Sequence, residues 1–279
     1  MTIQECIRYG QNRLMAAGIE NASNEARYLL EDTLSVDRSY LFVHDRDEVS
    51  DEHAAQYRNW IERRCAHEPM QYITGWQEFM GLPFYVNEHV LIPRQDTEVL
   101  VEEAMKRLMP GMQVLDLCCG SGCIGISLVK LSCVEAVLAD ISTDALKVAA
   151  KNAQKLLERS QPKIIQTDLF SEIEGRFDMI VSNPPYIRSD VIATLMEEVK
   201  EYEPVLALDG REDGLYFYRE IAGQAGGYLR DGGYLLFEIG YDQGDDLRKI
   251  LVEEGYEEIQ IIKDLAGLDR VAIARYSSR

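Results

Sequence analysis

The chain has 279 residues, 46% hydrophobic and 28% charged, which suits one large globular domain or two smaller ones. Its 48 acidic and 29 basic residues give a net charge of −19. A surface of that sign repels phosphate backbones and disfavours nucleic-acid binding driven by counterion release. No apolar run approaches the length needed to span a bilayer, and no basic-then-apolar leader opens the chain. A cytoplasmic protein without a membrane or a direct nucleic-acid partner is expected, and it is taken as a monomer.

Residues 1–75 read as a small helical bundle. Thr2 can cap a helix bearing Ile3, Ile7 and Leu14 that ends near Gly18. Ser23 or Asn24 can cap a second helix with Ala26, Leu29, Leu30 and Leu34. A third spans 51–65 with Tyr57, Trp60 and Ile61 inward. Such a bundle carries no obvious chemistry, so it either holds a partner or packs against the larger domain. Residues 76–93 read as a β-hairpin linker in which 79–86 and 89–92 flank Asn87-Glu88. Residues 93–98 then open a helix, with Asp96 or Thr97 as its cap.

From residue 111 strands and helices alternate. Strands are expected over 113–117, 135–139, 163–166, 179–181, 234–239, 259–262 and 270–274, and helices over 124–131, 143–157, 216–229 and 242–254. This predicts an α/β fold, a doubly wound and mostly parallel seven-stranded sheet. The segment around Gly267 is too short for a crossover helix, so the last two strands should pair antiparallel. Glu197, Glu198, Glu201 and Glu203 read as a solvated face.

Cys6, Cys65, Cys118, Cys119, Cys123 and Cys133 lack paired C-x-x-C spacing, and the cluster has no histidine nearby. They are expected to be reduced and buried, with no metal bound.

Chemistry concentrates at the expected strand ends. Val114 to Gly125 reads as strand, glycine turn and helix start, and Gly120, Gly122 and Gly125 spell G-x-G-x-x-G. Asp116, close under that loop, is unfavourable beside a pyrophosphate and favourable beside a cationic ligand. S-adenosylmethionine carries a sulfonium and an ammonium and no phosphate. Asp140 ends the second strand, where an acidic residue accepts both ribose hydroxyls in doubly wound nucleoside sites. Asp168 follows the third strand and is placed for the adenine amino group, with Leu169 on the purine face. Asp168 alone would also serve as an ordinary helix cap.

Asn183-Pro184-Pro185-Tyr186 follows the fourth strand. Asn183 offers a carboxamide oxygen, and proline rings free the preceding carbonyls from any ladder. A tyrosine ring supplies a flat wall. Together they would form a socket for a planar –NH2 group, although a Pro-Pro pair also suits a plain loop.

With these motifs the sequence resembles the class I S-adenosylmethionine-dependent methyltransferases. More narrowly it resembles the HemK/PrmC family of release factor glutamine methyltransferases, through its helical N-terminal segment, Pro93-Arg94 with Asp96-Thr97-Glu98, the Asp116 glycine loop, Asp140, Asp168 and the tetrad. The resemblance implies methylation of the glutamine side-chain amide in the Gly-Gly-Gln motif of peptide chain release factors, with S-adenosylhomocysteine as product. It also implies a substrate-recognition domain over 1–75 and a transferase domain over 94–279. Asn183, Pro184 and Tyr186 would be catalytic. Cofactor would contact Asp116, Cys118, Cys119, Gly120, Ser121, Gly122, Asp140, Asp168, Leu169 and Asn183. Substrate would contact the tetrad, Pro185 included, and Arg94. Departures are Cys118 and Cys119, where the family usually has glycine and a small residue, Gln95 in place of a common proline, and Leu169 in place of an aromatic. The rival readings are a ribosomal-protein glutamine methyltransferase, a DNA or RNA adenine-N6 methyltransferase, a silent cofactor-binding scaffold and a dinucleotide oxidoreductase.

Overall fold

The computed structural model describes residues 1–158 and 160–278; Arg159 and Arg279, both inside the expected transferase domain, lie outside the described residues. In chain order the elements are α1 (Ile3–Ala16), α2 (Ala22–Leu34), α3 (Arg38–Val43), α4 (Asp51–Cys65), α5 (Met70–Thr74), β1 (Trp76–Phe79), β2 (Leu82–Tyr85), α6 (Glu98–Met105), β3 (Gln113–Leu117), α7 (Cys123–Ser132), β4 (Glu135–Asp140), α8 (Thr143–Leu156), β5 (Lys163–Gln166), β6 (Phe177–Ser182), α9 (Ser189–Ile192), α10 (Glu197–Lys200), α11 (Tyr216–Ala225), β7 (Leu229–Glu238), α12 (Gly244–Glu253), β8 (Glu257–Lys263) and β9 (Asp269–Arg275). Two compact units divide the chain: Met1–Gly75 with Met196–Tyr202, and the remainder.

The first unit packs α1, α2 and α4 around Leu14, Leu29, Leu30, Tyr57 and Ile61. Thr2 and Glu5 close a capping box at the start of α1. The Tyr57 hydroxyl donates to the Ala26 carbonyl at 2.9 Å, and any Cβ at position 10 would collide with that hydroxyl, so α1 carries Gly10 there. Asn21 precedes α2, two or three residues earlier than the expected cap at Ser23 or Asn24. The acidic segment after the tetrad is solvated only in part: Glu197 and Glu201 are exposed, Glu198 is half-buried and Glu203 is buried. Only Glu197–Lys200 is helical. Glu198 meets the buried Arg64 at 2.9 Å, and Arg64 also bonds Glu25 at 2.6 Å. This bidentate cation holds residues 196–202 in the first unit.

In the second unit the described residues form a seven-stranded sheet ordered β5-β4-β3-β6-β7-β9-β8. Strands β5 to β7 run parallel, and β9 is antiparallel to both neighbours. The seven-stranded, mostly parallel α/β sheet expected from the sequence is therefore what the chain adopts. Strand order reverses between β3 and β6, and the carboxyl ends there are where such sheets bind ligands. Apolar cores fill both faces, one around Leu138 and Ile126 and one around Phe237 and Tyr218.

The hairpin differs from expectation. Trp76 pairs with Tyr85 and Phe79 with Leu82, so the turn is Met80-Gly81, not Asn87-Glu88. Both turn residues have positive φ, 51° and 72°, the backbone that matches strand twist in two-residue hairpins. Helix α11 stops at Ala225, before Gly226-Gly227, and β7 begins at Leu229, earlier than expected. Leu229 pairs with Phe177 and Tyr234 with Met179, so β7 bulges between them. All six cysteines are free; Cys133 is exposed, against expectation, and Cys65 and Cys118 are half-buried. Among the described residues no helix is long and apolar enough to cross a membrane.

Candidate active site

A cavity of about 240 Å³ opens at the carboxyl edge of the parallel strands. The ends of β3, β4, β5 and β6 contribute Cys118 to Ser121, Asp140, Asp168 with Leu169, and Asn183. Residues far apart in sequence thus meet because each follows a parallel strand.

Asp140 is held from both sides. Its carboxylate accepts from the Gly120 amide at 2.9 Å and from the Ser142 amide at 2.9 Å. Burial nevertheless raises its pKa above the ordinary carboxylate value, against the pull of those amides. A carboxylate has lone pairs beyond these two bonds, so it can still accept from a pair of hydroxyls. Asp168 is exposed, on the turn after β5. Thr167 fixes that turn by donating to the Leu169 carbonyl at 3.1 Å and accepting from the Glu172 amide at 3.0 Å. Leu169 sits at φ 48° on the cavity wall.

The glycine loop runs through left-handed backbone at Cys118 (φ 58°), Gly120 (52°) and Gly122 (76°). At Cys118 a Cβ is carried in a region that costs non-glycine residues roughly 1–2 kcal/mol. A Cβ at Gly120 would meet nothing within 4 Å, because that face looks into the cavity. The loop's far side is tied down by Asn152, a fully buried residue in α8. Its Nδ2 donates to the Ser121 carbonyl at 2.9 Å and the Tyr85 carbonyl at 3.0 Å, while its Oδ1 accepts from the Tyr85 amide at 2.7 Å. Sequence reading passed over Asn152 as one polar residue in an amphipathic helix; its only signal was a carboxamide on the apolar side.

Asp116 does not line the cavity, contrary to the direct contact expected of it. Strand alternation turns it, with Val114, toward the helix-covered face under the start of α7. Its Oδ2 accepts from the Gly125 amide at 2.8 Å, and its Oδ1 has no partner among the described residues. Burial pushes its pKa up to about 7.

The tetrad divides. Asn183 and Pro185 line the cavity, whereas Pro184 and Tyr186 do not. Ser182 anchors the tetrad's base by donating to the Leu117 carbonyl at 2.8 Å. The Tyr186 ring, expected as the flat wall, packs into the core. Its hydroxyl donates to Glu238 at 3.3 Å and its carbonyl accepts from Gln243 at 3.2 Å. Tyr216 and Phe217 stand on the cavity wall instead; the aromatic run at the start of α11 was the signal for them. Asn183 Nδ2 donates to Thr97 Oγ1 at 3.5 Å, and Thr97 and Glu238 are both 2% exposed. Arg94 also lies off the cavity wall. Its Nη2 reaches both oxygens of the buried Glu203 at 2.7 Å, and Pro204, next in the chain, lines the cavity.

The donor set suits a nucleoside with a positively charged tail. Asp140 and Asp168 offer acceptors to hydroxyls and an amine, Leu169 and Ile141 offer apolar contact, and Gly120 leaves room at the loop. Beneath the loop an unpartnered carboxylate oxygen of Asp116 favours nearby positive charge. S-adenosylmethionine fits these residues.

Residues 5–75 match the family described as PrmC N-terminal domain, and residues 94–211 match the methyltransferase small domain. The chain is 41% identical over 281 residues to the release factor glutamine methyltransferase of Clostridium botulinum, covering 99% of each. It is 40% identical over 280 residues to that of Clostridium acetobutylicum, covering 98% of each. Among solved structures it is similar to a methyltransferase from Pyrococcus furiosus, with TM-score 0.55 and 15% identity over 72% of this chain and 91% of that one, a likeness of fold.

Proposed function

We propose a reaction on one premise: the chain belongs to the release factor glutamine methyltransferase family. It methylates the side-chain amide nitrogen of a glutamine, the one in the Gly-Gly-Gln motif of a peptide chain release factor. The observation that carries this reading is Asn183, a neutral carboxamide on the wall of the cavity that Asp140 and Asp168 also line.

S-adenosylmethionine, when bound, supplies a methyl group made electrophilic by its sulfonium and departs as S-adenosylhomocysteine. Asp140 accepts from the ribose hydroxyls, Asp168 from the adenine amine, and Leu169 packs on the purine. Cys118, Cys119, Gly120, Ser121 and Gly122 border the other end, with the Asp116 charge beneath them. An amide nitrogen is a poor nucleophile because its lone pair is delocalised into the carbonyl. The Asn183 Oδ1 on the cavity wall accepts a hydrogen bond from one of its N–H groups and holds it in one orientation, and the nitrogen gives up one proton to water as the N–CH3 bond forms and the S–CH3 bond breaks. Pro185, Tyr216 and Phe217 exclude water around it, while Tyr186 braces the tetrad from behind. Positioning of this kind supplies effective molarities on the order of 10⁵ M. Arg94 acts on substrate through Glu203 and the wall that Pro204 begins, and the helical unit holds the release factor. The protein works as a cytoplasmic monomer on a protein substrate, and the net charge of −19 supports the absence of a nucleic-acid partner.

The test is incubation with isotope-labelled S-adenosylmethionine, a purified release factor, ribosomes and DNA, followed by mass spectrometry. Label on the glutamine side chain of Gly-Gly-Gln is the expected result. Label confined to a ribosomal protein or to adenine overturns the reading.

A further inference from the structure

Two segments bring residues to the end of the cavity that Asn183 lines: the tetrad after β6, with Asn183 and Pro185, and the start of α11, with Tyr216 and Phe217. The sheet holds neither at that point, because Tyr186 lies past the end of β6 and Gly214 lies before α11. One side chain ties them together. Gln243, buried just before α12, donates from Nε2 to the Tyr186 carbonyl at 3.2 Å and to the Gly214 carbonyl at 3.3 Å. Its Oε1 accepts from the Gly240 amide, past the end of β7, at 2.8 Å. Three backbone groups thus fix which way the carboxamide points. Reversed, it would set an oxygen against two carbonyls and an –NH2 against an N–H. The junction is also sterically close. A Cβ at Gly214, where φ is 74°, would fall 2.5 Å from the Tyr186 carbonyl oxygen and 2.9 Å from Gln243 Nε2. A Cβ at Gly210 would fall 2.6 Å from Tyr186 Cα and 2.9 Å from the Pro185 carbonyl oxygen. The Gly210 amide donates to the Ile187 carbonyl at 2.8 Å, so the loop before α11 lies directly on the tetrad's backbone.

We infer that Gln243 is a positioning residue for methyl transfer: it sets the spacing between the tetrad and the aromatic start of α11. This rests on the reading of Asn183 as the residue that orients the substrate amide. Tyr186 adjoins Pro185, and Tyr216 and Phe217 follow Gly214 by two and three residues. A shift at Gln243 therefore reaches both groups of wall residues through a few peptide units. Gln243 itself does not line the cavity. The ends of β3, β4 and β5, which carry Gly120, Asp140 and Asp168, share none of its hydrogen bonds. Gln243 thus governs the step in which nitrogen meets methyl and leaves cofactor binding alone.

The test measures kcat and KM on a release factor, and cofactor Kd by calorimetry, for Asn183→Ala, Gln243→Glu, Gly214→Ala, the Gln243→Glu/Gly214→Ala double variant and Gly255→Ala. Gln243→Glu keeps the side-chain shape and the acceptor for Gly240, and it offers at most one proton to the two carbonyls. It should lower kcat about ten- to a hundredfold, with cofactor Kd within about twofold and release-factor KM within about threefold of the parent. Gly214→Ala presses on the same junction from the other side and should lower kcat comparably. The double variant should lose little more than either single one, because both break one contact. Gly255 has the same left-handed backbone, with φ 81°, and a Cβ there meets nothing within 4 Å. Gly255→Ala therefore carries the strain without the contact, and its kcat should stay within about twofold of the parent. Should Gln243→Glu not fold, Gln243→Met, of similar length and without a donor, carries the same expectation. Normal turnover by Asn183→Ala overturns the reading of Asn183 and this inference with it. An inactive Asn183→Ala beside a Gln243→Glu of unchanged kcat overturns this inference alone. Losses that multiply in the double variant, an equal loss in Gly255→Ala, or cofactor affinity falling in step with kcat assign Gln243 to packing and overturn it as well.

Discussion

Asp116→Asn isolates the charge under the glycine loop. In the folded protein the Asp116 pKa is raised from 3.8 to about 7 by burial. The folded state therefore holds this proton more tightly than the unfolded chain. Stability from this group is complete below about pH 4 and falls as pH rises toward 7, because only the unfolded chain releases the proton easily. Above pH 7 the cost of keeping the carboxylate ionised is about 4 kcal/mol, at roughly 1.4 kcal/mol per pH unit between the two values. Asparagine does not titrate and can keep the Gly125 hydrogen bond, though its Nδ2 lacks an acceptor at all pH values. The unfolding free energy of the variant relative to the parent should rise between pH 5 and pH 8 by up to about 3 kcal/mol. Urea melts of both proteins without cofactor measure this, and titrating groups that do not interact with Asp116 cancel in the difference. With cofactor the sign reverses: the variant should bind it more weakly, and parental affinity should climb through pH 7 as Asp116 ionises. A stability difference that stays flat from pH 5 to pH 8 refutes the reasoning.

Asp140→Ala should raise the cofactor dissociation constant about ten- to a hundredfold, since it removes a charged acceptor worth roughly 1.5–3 kcal/mol; titration calorimetry showing no change removes Asp140 from the site. Cys133→Gly should stabilise the fold by about 0.5–1 kcal/mol, because Cys133 is exposed and holds φ 55° at the end of α7. A lowered melting temperature contradicts this. Arg64→Ala should destabilise the protein by about 2 kcal/mol or more, because Glu25 and Glu198 lose a shared buried cation. Chemical denaturation reads that loss, and an unchanged midpoint refutes it.

Much of the second unit was legible because parallel strands buried on both faces read as apolar runs punctuated by turn residues. Gly120, Asp140, Asp168, Leu169, Asn183 and Pro185 line one cavity for the same reason: the residue after each strand falls on one edge of the sheet. What escaped depended on direction or on distant partners. Asp116 was placed at the right height on its strand, but its face was decided by alternation from Val114. The Met80-Gly81 turn needs positive φ at a methionine, which local propensity disfavours. Glu203 reads as one more charge in an acidic run; its burial follows from Arg94, 109 positions away. Tyr186 looks like a wall residue until Glu238, fifty-two positions on, draws its hydroxyl inward.

Asn152 gives the small hairpin a neighbour it would otherwise lack. A two-stranded ribbon is marginal in water and leaves its outer backbone groups unpaired. By accepting from one main-chain group of Tyr85 and donating to the other, a single carboxamide imitates the next strand of a ladder. The same carboxamide grips the Ser121 carbonyl, so fraying of the ribbon and loosening of the loop are one opening event. Ligand that orders the loop should then slow deuterium uptake at Tyr85, a residue outside the cavity wall.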